Sequence, residues 1–173
     1  MEFEALVEAH SGEIFAYVWR LLRDTADAED CLQETFLRAY RSFSRVKADS
    51  NYRAWLYKIA TNTARTHAKQ RGRLNARTLD LDPELQSERA TPLDRVVRRE
   101  TIEAVTRAVE ALPHQQRAAL IMRQYQELGY DDIAAALDCT EEAARANVYQ
   151  ALKKLRVQFS DSANLRISEA RGG

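Results

Sequence analysis

The side chains in this sequence best suited to chemistry are basic, and they are concentrated in one window. Residues 52–77 contain seven lysines and arginines and no acidic residue. A run of one sign neutralises phosphates, so the window predicts a surface that binds a polyanion. A solvated helix face is the alternative, but such faces usually mix both signs. Four polar side chains spaced by 4, 3 and 4 residues would share one helix face: Lys58, Asn62, Arg65 and Lys69.

Residues suited to catalysis or metal binding are scattered. His10, His67 and His114 lie far apart in the chain, and there is no Gly-rich phosphate loop, nucleophile elbow or metal-ligand spacing. Cys31 and Cys139 are isolated and cannot form a disulfide framework. We expect Cys139 to be a small core residue rather than a redox-active thiol. The sequence therefore predicts a protein that is not an enzyme and uses no cofactor or metal.

Composition favours a helical protein. The 173 residues carry 26 Lys+Arg and 26 Asp+Glu, with only five Gly and three Pro, so the turn residues that β-sandwiches and barrels need are few. An apolar content of 45% excludes wholesale disorder. No run of 18 apolar residues could span a membrane, and the acidic N-terminus does not resemble a signal peptide. We expect an all-α, cytoplasmic protein.

The charges are also segregated along the chain. Residues 1–34 carry nine acids and only two bases, Arg20 and Arg23. Acids repel phosphate, so this segment is expected to face protein or water rather than nucleic acid.

Hydrophobic spacing predicts three helices in the first half, near 2–23, 26–43 and 52–74. Asp24 is a candidate cap for the second helix. That helix has an apolar stripe that would face the core, and on the third helix Leu56, Ile59, Ala60 and Thr63 share one face. The stripe comprises Leu32, Phe36, Leu37, Tyr40 and Phe43.

The pattern then lapses, and this divides the chain. Two of the three prolines and many polar residues follow without a sustained period, which predicts a linker. The predicted organisation is two small helical domains over 1–75 and 96–159, a linker over 76–95 and a tail over 160–173.

The second half contains a helix-turn-helix candidate. Pro113 is expected to start a helix and Gly129 to end it as a C-cap. Residues 130–137 form a short helix, 138–140 a tight turn, and Thr140 caps a longer helix that runs to about Phe159. Such helix pairs also occur in bundles that do not touch DNA.

Three stretches together resemble one family. Residues 27–40 (DAEDCLQETFLRAY) resemble the core-binding motif of bacterial sigma factors of the extracytoplasmic-function class. Residues 54–62 (AWLYKIATN) are similar to that family's promoter-melting segment, and Leu112-Pro113 with the helix-turn-helix resembles its C-terminal domain. The resemblance covers roughly residues 2–158 and implies a protein that binds core RNA polymerase, promoter DNA and an anti-sigma factor in transcription initiation.

The resemblance also implies roles for residues of the first half. It places the segment 44–52 at the loop that captures an unstacked minus-ten base, and the third helix on the DNA backbone. An unstacked base needs a polar pocket with an aromatic wall, which Tyr52, Trp55 and Tyr57 could supply in part, although Trp55 is the more usual core residue. The positions at the polymerase clamp are Asp30, Gln33, Glu34 and Phe36. The minus-ten positions are Asn51, Tyr52, Lys58, Asn62, Arg65 and Lys69.

The recognition helix departs from the family pattern. Where the family usually has Ser-Arg and then His-Arg-Ala-Arg, this chain has Ala146-Asn147 and then residues 149–152 (YQAL), so three arginines are absent. Arg145 and Gln150 combine reach with bidentate geometry for base edges, whereas lysines suit phosphates. The predicted minus-thirty-five residues are Arg145, Ala146, Tyr149, Gln150, Lys153 and Lys154.

Two other interpretations fit part of the sequence. A helix-turn-helix regulator without polymerase contact would show the same second half. It leaves the match at residues 30–40 unexplained, and a polymerase pull-down separates the two. A sigma-like protein that inhibits or bridges regulators without initiating transcription is the other, and an in-vitro start-site assay distinguishes it.

Overall fold

The computed structural model describes residues 2–72 and 92–171, with the side chains of 94 and 161–171 excepted. Every regular element in these ranges is an α-helix, which confirms the all-α prediction. The helices are α1 (Phe3–Leu22), α2 (Thr25–Phe43), α3 (Tyr52–Arg71), α4 (Pro92–Glu110), α5 (His114–Gln124), α6 (Tyr130–Leu137) and α7 (Glu141–Arg171).

Short polar side chains start three of these helices by accepting backbone N–H groups that have no intrahelical partner. Asp24 accepts from the N–H of Asp27 at 2.9 Å, and Thr140 accepts from Ala143 at 3.1 Å, as predicted. Asn51 accepts from Ala54 at 3.0 Å and therefore begins α3. Its side-chain carbonyl is engaged in this cap.

The predicted C-cap at Gly129 is wrong. Helix α5 ends at Gln124, and the left-handed backbone conformation before α6 falls on Glu127, with φ of 54°. Gly129 has an ordinary φ of −67° and is the N-cap of α6. A four-residue loop between Gln124 and Gly129 turns the chain, so the glycine belongs to the next helix.

Two boundaries differ from the sequence prediction. Helix α4 begins at Pro92, inside the predicted linker, because proline is accepted in a first helical turn. The predicted linker over 76–91 and the predicted end of the third helix at 74 lie outside the described residues. Helix α7 continues past Phe159, through the predicted tail, to Arg171.

The helices of the two halves share one hydrophobic core. Leu6 and Ile14 of α1 and Leu56 of α3 lie in the same buried cluster as Met122 of α5 and Ile133 of α6. Helix α1 packs against α5, and α3 packs against α6. The first helix of the helix-turn-helix therefore lies directly on the third helix of the N-terminal half.

Helix α2 packs inward with small side chains, and its larger apolar residues do not all reach the core. Leu37 is 56% exposed and Tyr40 is 64% exposed, so the prediction that the whole stripe faces inward is wrong. A contact face of small residues lets helices approach closely and leaves the edges of the stripe in solvent. The buried face consists of Ala28, Cys31, Thr35 and Ala39.

Candidate nucleic-acid and protein interfaces

The outer face of α2 carries the residues predicted to contact polymerase. Asp30 and Gln33 are exposed, and Glu34 and Phe36 are half-buried. Phe36 packs edge-on against Phe3, with ring centroids 6.4 Å apart. The four residues thus follow one surface of α2, with Phe36 at its inner edge.

Glu34 is held from two sides. It pairs with Arg38 one turn later, and His67 of α3 contacts its other oxygen at 3.1 Å. Burial opposes ionisation of this carboxyl, but the hydrogen bonds from His67 and Arg38 outweigh it and lower the pKa of Glu34. The carboxylate is therefore charged and fixed in orientation.

Leu37 and Tyr40 add an apolar patch that the sequence interpretation assigned to the core. Neighbouring exposed apolar side chains on a soluble protein indicate a contact surface for another molecule. The width of the apolar stripe was the feature of the sequence that could have revealed this exposure. Phe36 and Leu37 are consecutive, so both cannot point the same way from a helix.

An aromatic wall stands at the start of α3, as predicted. Tyr52 is half-buried, with its ring centroid 5.8 Å from that of Phe43 and 6.3 Å from that of Trp55. Trp55 packs partly against the core, in agreement with its interpretation as a packing residue. Asn51 is exposed beside this wall.

Tyr57 does not belong to that pocket, and its assignment there is wrong. The side chain is fully buried; its hydroxyl donates to Glu13 at 2.9 Å and lies 3.2 Å from the side-chain carbonyl oxygen of Gln126. Burial and then the charge of Glu13 raise the pKa of Tyr57. Arg53 completes the network by donating to Glu13 at 2.7 Å and to the backbone carbonyl of Gln126 at 3.1 Å.

Two bases of the basic window hold the fold together. Arg53 pairs with Glu13 of α1, and Arg71 pairs with Asp24, at 2.8 Å, and with Asp27 at the start of α2. The acidic first segment thus supplies partners for the basic third helix. Arg73 and Arg77 lie outside the described residues.

The four polar residues predicted to share a face of α3 meet different neighbours. Asn62 and Lys69 are exposed. Lys58 is half-buried and pairs with Asp138 at 2.8 Å. Arg65 is also half-buried, and its Nε is enclosed.

The side of α3 that carries Arg65 and Lys69 faces the start of α5. His114 is the first residue of α5 and is half-buried there. Burial, followed by the charges of Arg65, Arg117 and Lys69, lowers the pKa of His114 to about 4. The side of α3 that carries Arg65 therefore faces His114 and Arg117 of α5, whereas Lys58 pairs with the acid Asp138.

The helix-turn-helix has the predicted geometry. Asp138 takes the left-handed conformation, with φ of 53°, and turns the chain between α6 and α7. Cys139 follows it, and burial raises the pKa of this thiol. Ala144, Val148 and Ala151 form the buried side of α7.

The outward face of α7 carries the predicted minus-thirty-five residues. Ala146, Gln150 and Lys153 are exposed, and Tyr149 is 58% exposed. Lys154 donates to Gln116 of α5 at 2.9 Å.

Arg145 is less available than the rest of that face. Its guanidinium lies over the Tyr130 ring, 4.5 Å from the centroid, and 3.6 Å from a carboxylate oxygen of Glu141. The side chain of Gln150 is exposed and makes no hydrogen bond within the described part of the chain.

Within residues 2–72 and 92–160, no group of three or more His, Cys, Asp and Glu side chains could hold a metal ion. In the described ranges, no helix is long and apolar enough to cross a membrane.

Comparisons with known proteins cover both halves of the chain. Residues 6–74 match the family model of sigma-70 region 2, and residues 102–155 match that of sigma-70 region 4. The RNA polymerase sigma-H factor of Pseudomonas aeruginosa is 32% identical over 159 residues, which cover 86% of this chain and 81% of that protein. The ECF RNA polymerase sigma-E factor of Escherichia coli K12 is 30% identical over 158 residues, covering 86% and 82%.

Two solved structures share the fold. One is the sigma factor RpoE in complex with the anti-sigma factor NepR from Bartonella quintana, with a TM-score of 0.70, 21% identity and coverage of 91% of this chain and 96% of that one. The other is CnrH in complex with the cytosolic domain of CnrY, with a TM-score of 0.68, 19% identity and coverage of 92% and 88%. With both sigma-70 regions matched in order along the chain, and with sigma factors 30% or more identical over most of their length, this protein belongs to the extracytoplasmic-function sigma factors, which direct promoter recognition by RNA polymerase.

Proposed function

We propose that this sigma factor divides its task among three surfaces: the outer face of α2 for core RNA polymerase, the start of α3 for the minus-ten element, and the outer face of α7 for the minus-thirty-five element. Sigma factors are non-enzymatic initiation factors, and we infer that this chain likewise has no catalytic activity. Its proposed partners, polymerase and promoter DNA, place it in the cytoplasm.

The assignment of α2 rests on its exposed apolar patch. Leu37 and Tyr40 lie in solvent beside Gln33 and Asp30, and polar groups around an apolar centre are typical of a protein interface. Acidic groups in this segment disfavour DNA as the partner. The fixed carboxylate of Glu34 adds a charge that needs no reordering on binding.

The test is the affinity of α2 variants for core polymerase. Leu37→Ala with Tyr40→Ala, and separately Gln33→Ala with Glu34→Ala, are expected to weaken binding about tenfold or more while helicity is unchanged. Val157→Ala is the matched control, because Val157 on α7 is also 56% exposed. Wild-type affinity in both double variants would contradict the assignment.

At the minus-ten element, Tyr52 with Trp55 behind it provides the stacking surface for an unstacked base, and Asn51 provides polar contacts. Lys58, Asn62, Arg65 and Lys69 line the path of the backbone, where neutralising phosphates requires no sequence reading.

At the minus-thirty-five element, Gln150 and Arg145 are the candidates for base contacts, Ala146 and Tyr149 for apolar contact, and Lys153 and Lys154 for phosphate contacts. Glu141 and Glu142 are exposed at the start of α7 and repel phosphate. We therefore expect weak binding by this half alone.

We also propose an anti-sigma factor as a partner. Of the two solved structures named above, that of RpoE was determined in complex with the anti-sigma factor NepR, and that of CnrH in complex with the cytosolic domain of CnrY. Support from this chain is an apolar surface on α4, where Leu93, Val96 and Val97 are 72%, 54% and 50% exposed. Further along the same helix, a cavity of about 190 Å³ lies between α1, α4 and α5.

The test of this partner uses Val96→Asp. The substitution is expected to relieve inhibition of in-vitro transcription by the purified anti-sigma factor, while core polymerase affinity is unchanged. Equal inhibition of the variant and the wild type would remove α4 from the interface.

A further inference from the structure

The start of α3 already has a partner in this structure, and that partner is α6 of the same chain. Asp132, in the first turn of α6, accepts a hydrogen bond from the side-chain N–H of Asn51. Asp138, the C-cap of α6, accepts from Lys58 at 2.8 Å. Both acids of the contact lie on α6, and both donors lie at or near the start of α3.

The spacing of the two contacts fits two helices that run side by side in the same direction. Asp132 and Asp138 are six residues apart, and Asn51 and Lys58 are seven apart. At about 1.5 Å per residue these intervals span about 9 and 10.5 Å, so both contacts form together.

The contact is packed as well as polar. Leu128 and Ile133 are fully buried in the same cluster as Leu56 and Ala60 of α3. Beside them, Arg53 and Tyr57 hold the loop that precedes α6 through Gln126.

We propose that α6 masks the minus-ten surface in the free protein, with Asp132 and Asp138 occupying the groups that DNA would take. This inference rests on the proposed assignment of Asn51 and Lys58 to minus-ten DNA. The carboxylate of Asp138 lies where a phosphate would otherwise approach Lys58, and that of Asp132 occupies the side-chain N–H of Asn51, so the contact and the DNA exclude each other.

The polar part of the contact is weak enough to be reversible. The side chains of Lys58 and Asp138 are 39% and 72% exposed, and exposed ion pairs are weak and screened by salt. Opening therefore becomes easier as salt rises, or when a partner draws α6 away. The outer face of α7 stays exposed while α6 covers α3.

The experiment removes the two acids without touching α3. The variants are Asp132→Asn with Asp138→Asn in the full chain, and asparagine tolerates the left-handed conformation at 138. Asp131→Asn is the matched control, because Asp131 is an exposed acid in the same turn with no ion-pair partner in the described residues. The control accounts for the general effect of removing negative charge.

Two quantities are measured for each protein. One is amide hydrogen exchange over residues 51–60. The other is affinity for a fluorescent single-stranded DNA 20-mer of mixed sequence at fixed salt. We expect faster exchange and about three- to tenfold tighter DNA binding in the double variant only.

The outcomes distinguish the contact between α6 and α3 from its proposed effect on DNA binding. Unchanged exchange in the double variant would overturn the contact itself. Faster exchange without tighter DNA binding would overturn the masking. In that second case Lys58→Ala is decisive: if it also leaves DNA affinity unchanged, the error lies in the minus-ten assignment of α3.

Discussion

The two surfaces proposed to bind DNA differ in what covers them. At the start of α3, Asn51 and Lys58 are engaged by carboxylates of α6. On α7, Gln150 and Lys153 project into solvent. Both surfaces offer the same types of side chain, yet carboxylates of the same chain engage only the start of α3.

The difference follows from the position of each helix in the fold. Helix α3 is central, packing against α1, α2 and α6, whereas α7 packs on the C-terminal helices α4, α5 and α6 and keeps one side free. A basic side chain on a central helix contacts residues of the helices that pack against it. Charge along the sequence therefore predicts binding capacity, and packing decides access.

The largest effect is expected from loosening the loop that holds α6 against α3. Leu128 is fully buried, and its N–H donates to the carbonyl of Met122 at 3.0 Å. Leu128→Ala is expected to lower the free energy of unfolding by about 2–5 kcal/mol, since a core leucine is replaced by a cavity. Urea denaturation measures this, with Val157→Ala, expected to cost less than about 0.5 kcal/mol, as control. A loss below about 1 kcal/mol for Leu128→Ala would show that the loop is not an anchor.

The assignment of α7 to the minus-thirty-five element is tested by asking which of its residues contact bases. Gln150→Ala is expected to change preference at one or two minus-thirty-five positions by about 1–3 kcal/mol. Arg145→Ala should also alter preference, but less, because Arg145 must first leave Tyr130 and Glu141. Lys153→Ala should weaken binding uniformly.

These three variants are compared by competition against a randomised minus-thirty-five hexamer with polymerase present. An unchanged base profile in both Arg145→Ala and Gln150→Ala would contradict the assignment of base readout to α7.

The lowered pKa of His114, at the start of α5, predicts how the stability of the fold depends on pH. The pKa of His114 is lowered from 6.5 to about 4, so the unfolded chain takes up this proton first as the pH falls. Its contribution to stability is full above about pH 6.5 and is lost between pH 6.5 and 4. After allowance for partial exposure, the loss is about 1–2 kcal/mol.

His114→Asn is expected to flatten the dependence of unfolding free energy on pH in this window. Urea denaturation of both proteins at several pH values measures the difference. Parallel profiles for the variant and the wild type would show that His114 is not the responsible group.

The smallest effects are expected from substituting the basic residues of α3. In the holoenzyme, Lys58→Ala and Lys69→Ala are each expected to weaken promoter binding across all sequences and to reduce the salt slope by about one unit. Arg65→Ala should behave alike. Arg71→Ala is the control, because its partners are Asp24 and Asp27 and it should alter stability rather than the slope. A change in preferred bases with any of the three variants would identify a base reader instead of a phosphate contact.

Local patterns in the sequence predicted much of the secondary structure. Caps at Asp24 and Thr140 follow from short-range rules, and the structure agrees with them. Gly129 shows the limit of such rules. Glycine is common both after one helix and before the next, and the residues around it do not say which helix it serves.

The candidate sites divide in the same way. Tyr57 and Tyr52 are both aromatic residues near the start of one helix, but Tyr57 lies on the face that meets Glu13 and Gln126. Those partners are 44 and 69 residues away in sequence, beyond the reach of any helical period. The inward prediction for Leu37 and Tyr40 failed because α2 packs inward on its small residues, and tertiary packing decides which face of a helix meets its neighbours.

The sequence by itself determined the helices, the family and the residue types on each proposed surface, because these depend on local spacing and on motifs carried within single segments. Tertiary structure alone decided that Asp132 and Asp138 lie against Asn51 and Lys58, that Arg53 and Arg71 hold the fold, and that α7 keeps its face open. Each of those facts is a contact between segments far apart in the chain, and such contacts are fixed by how the helices pack into one shared core.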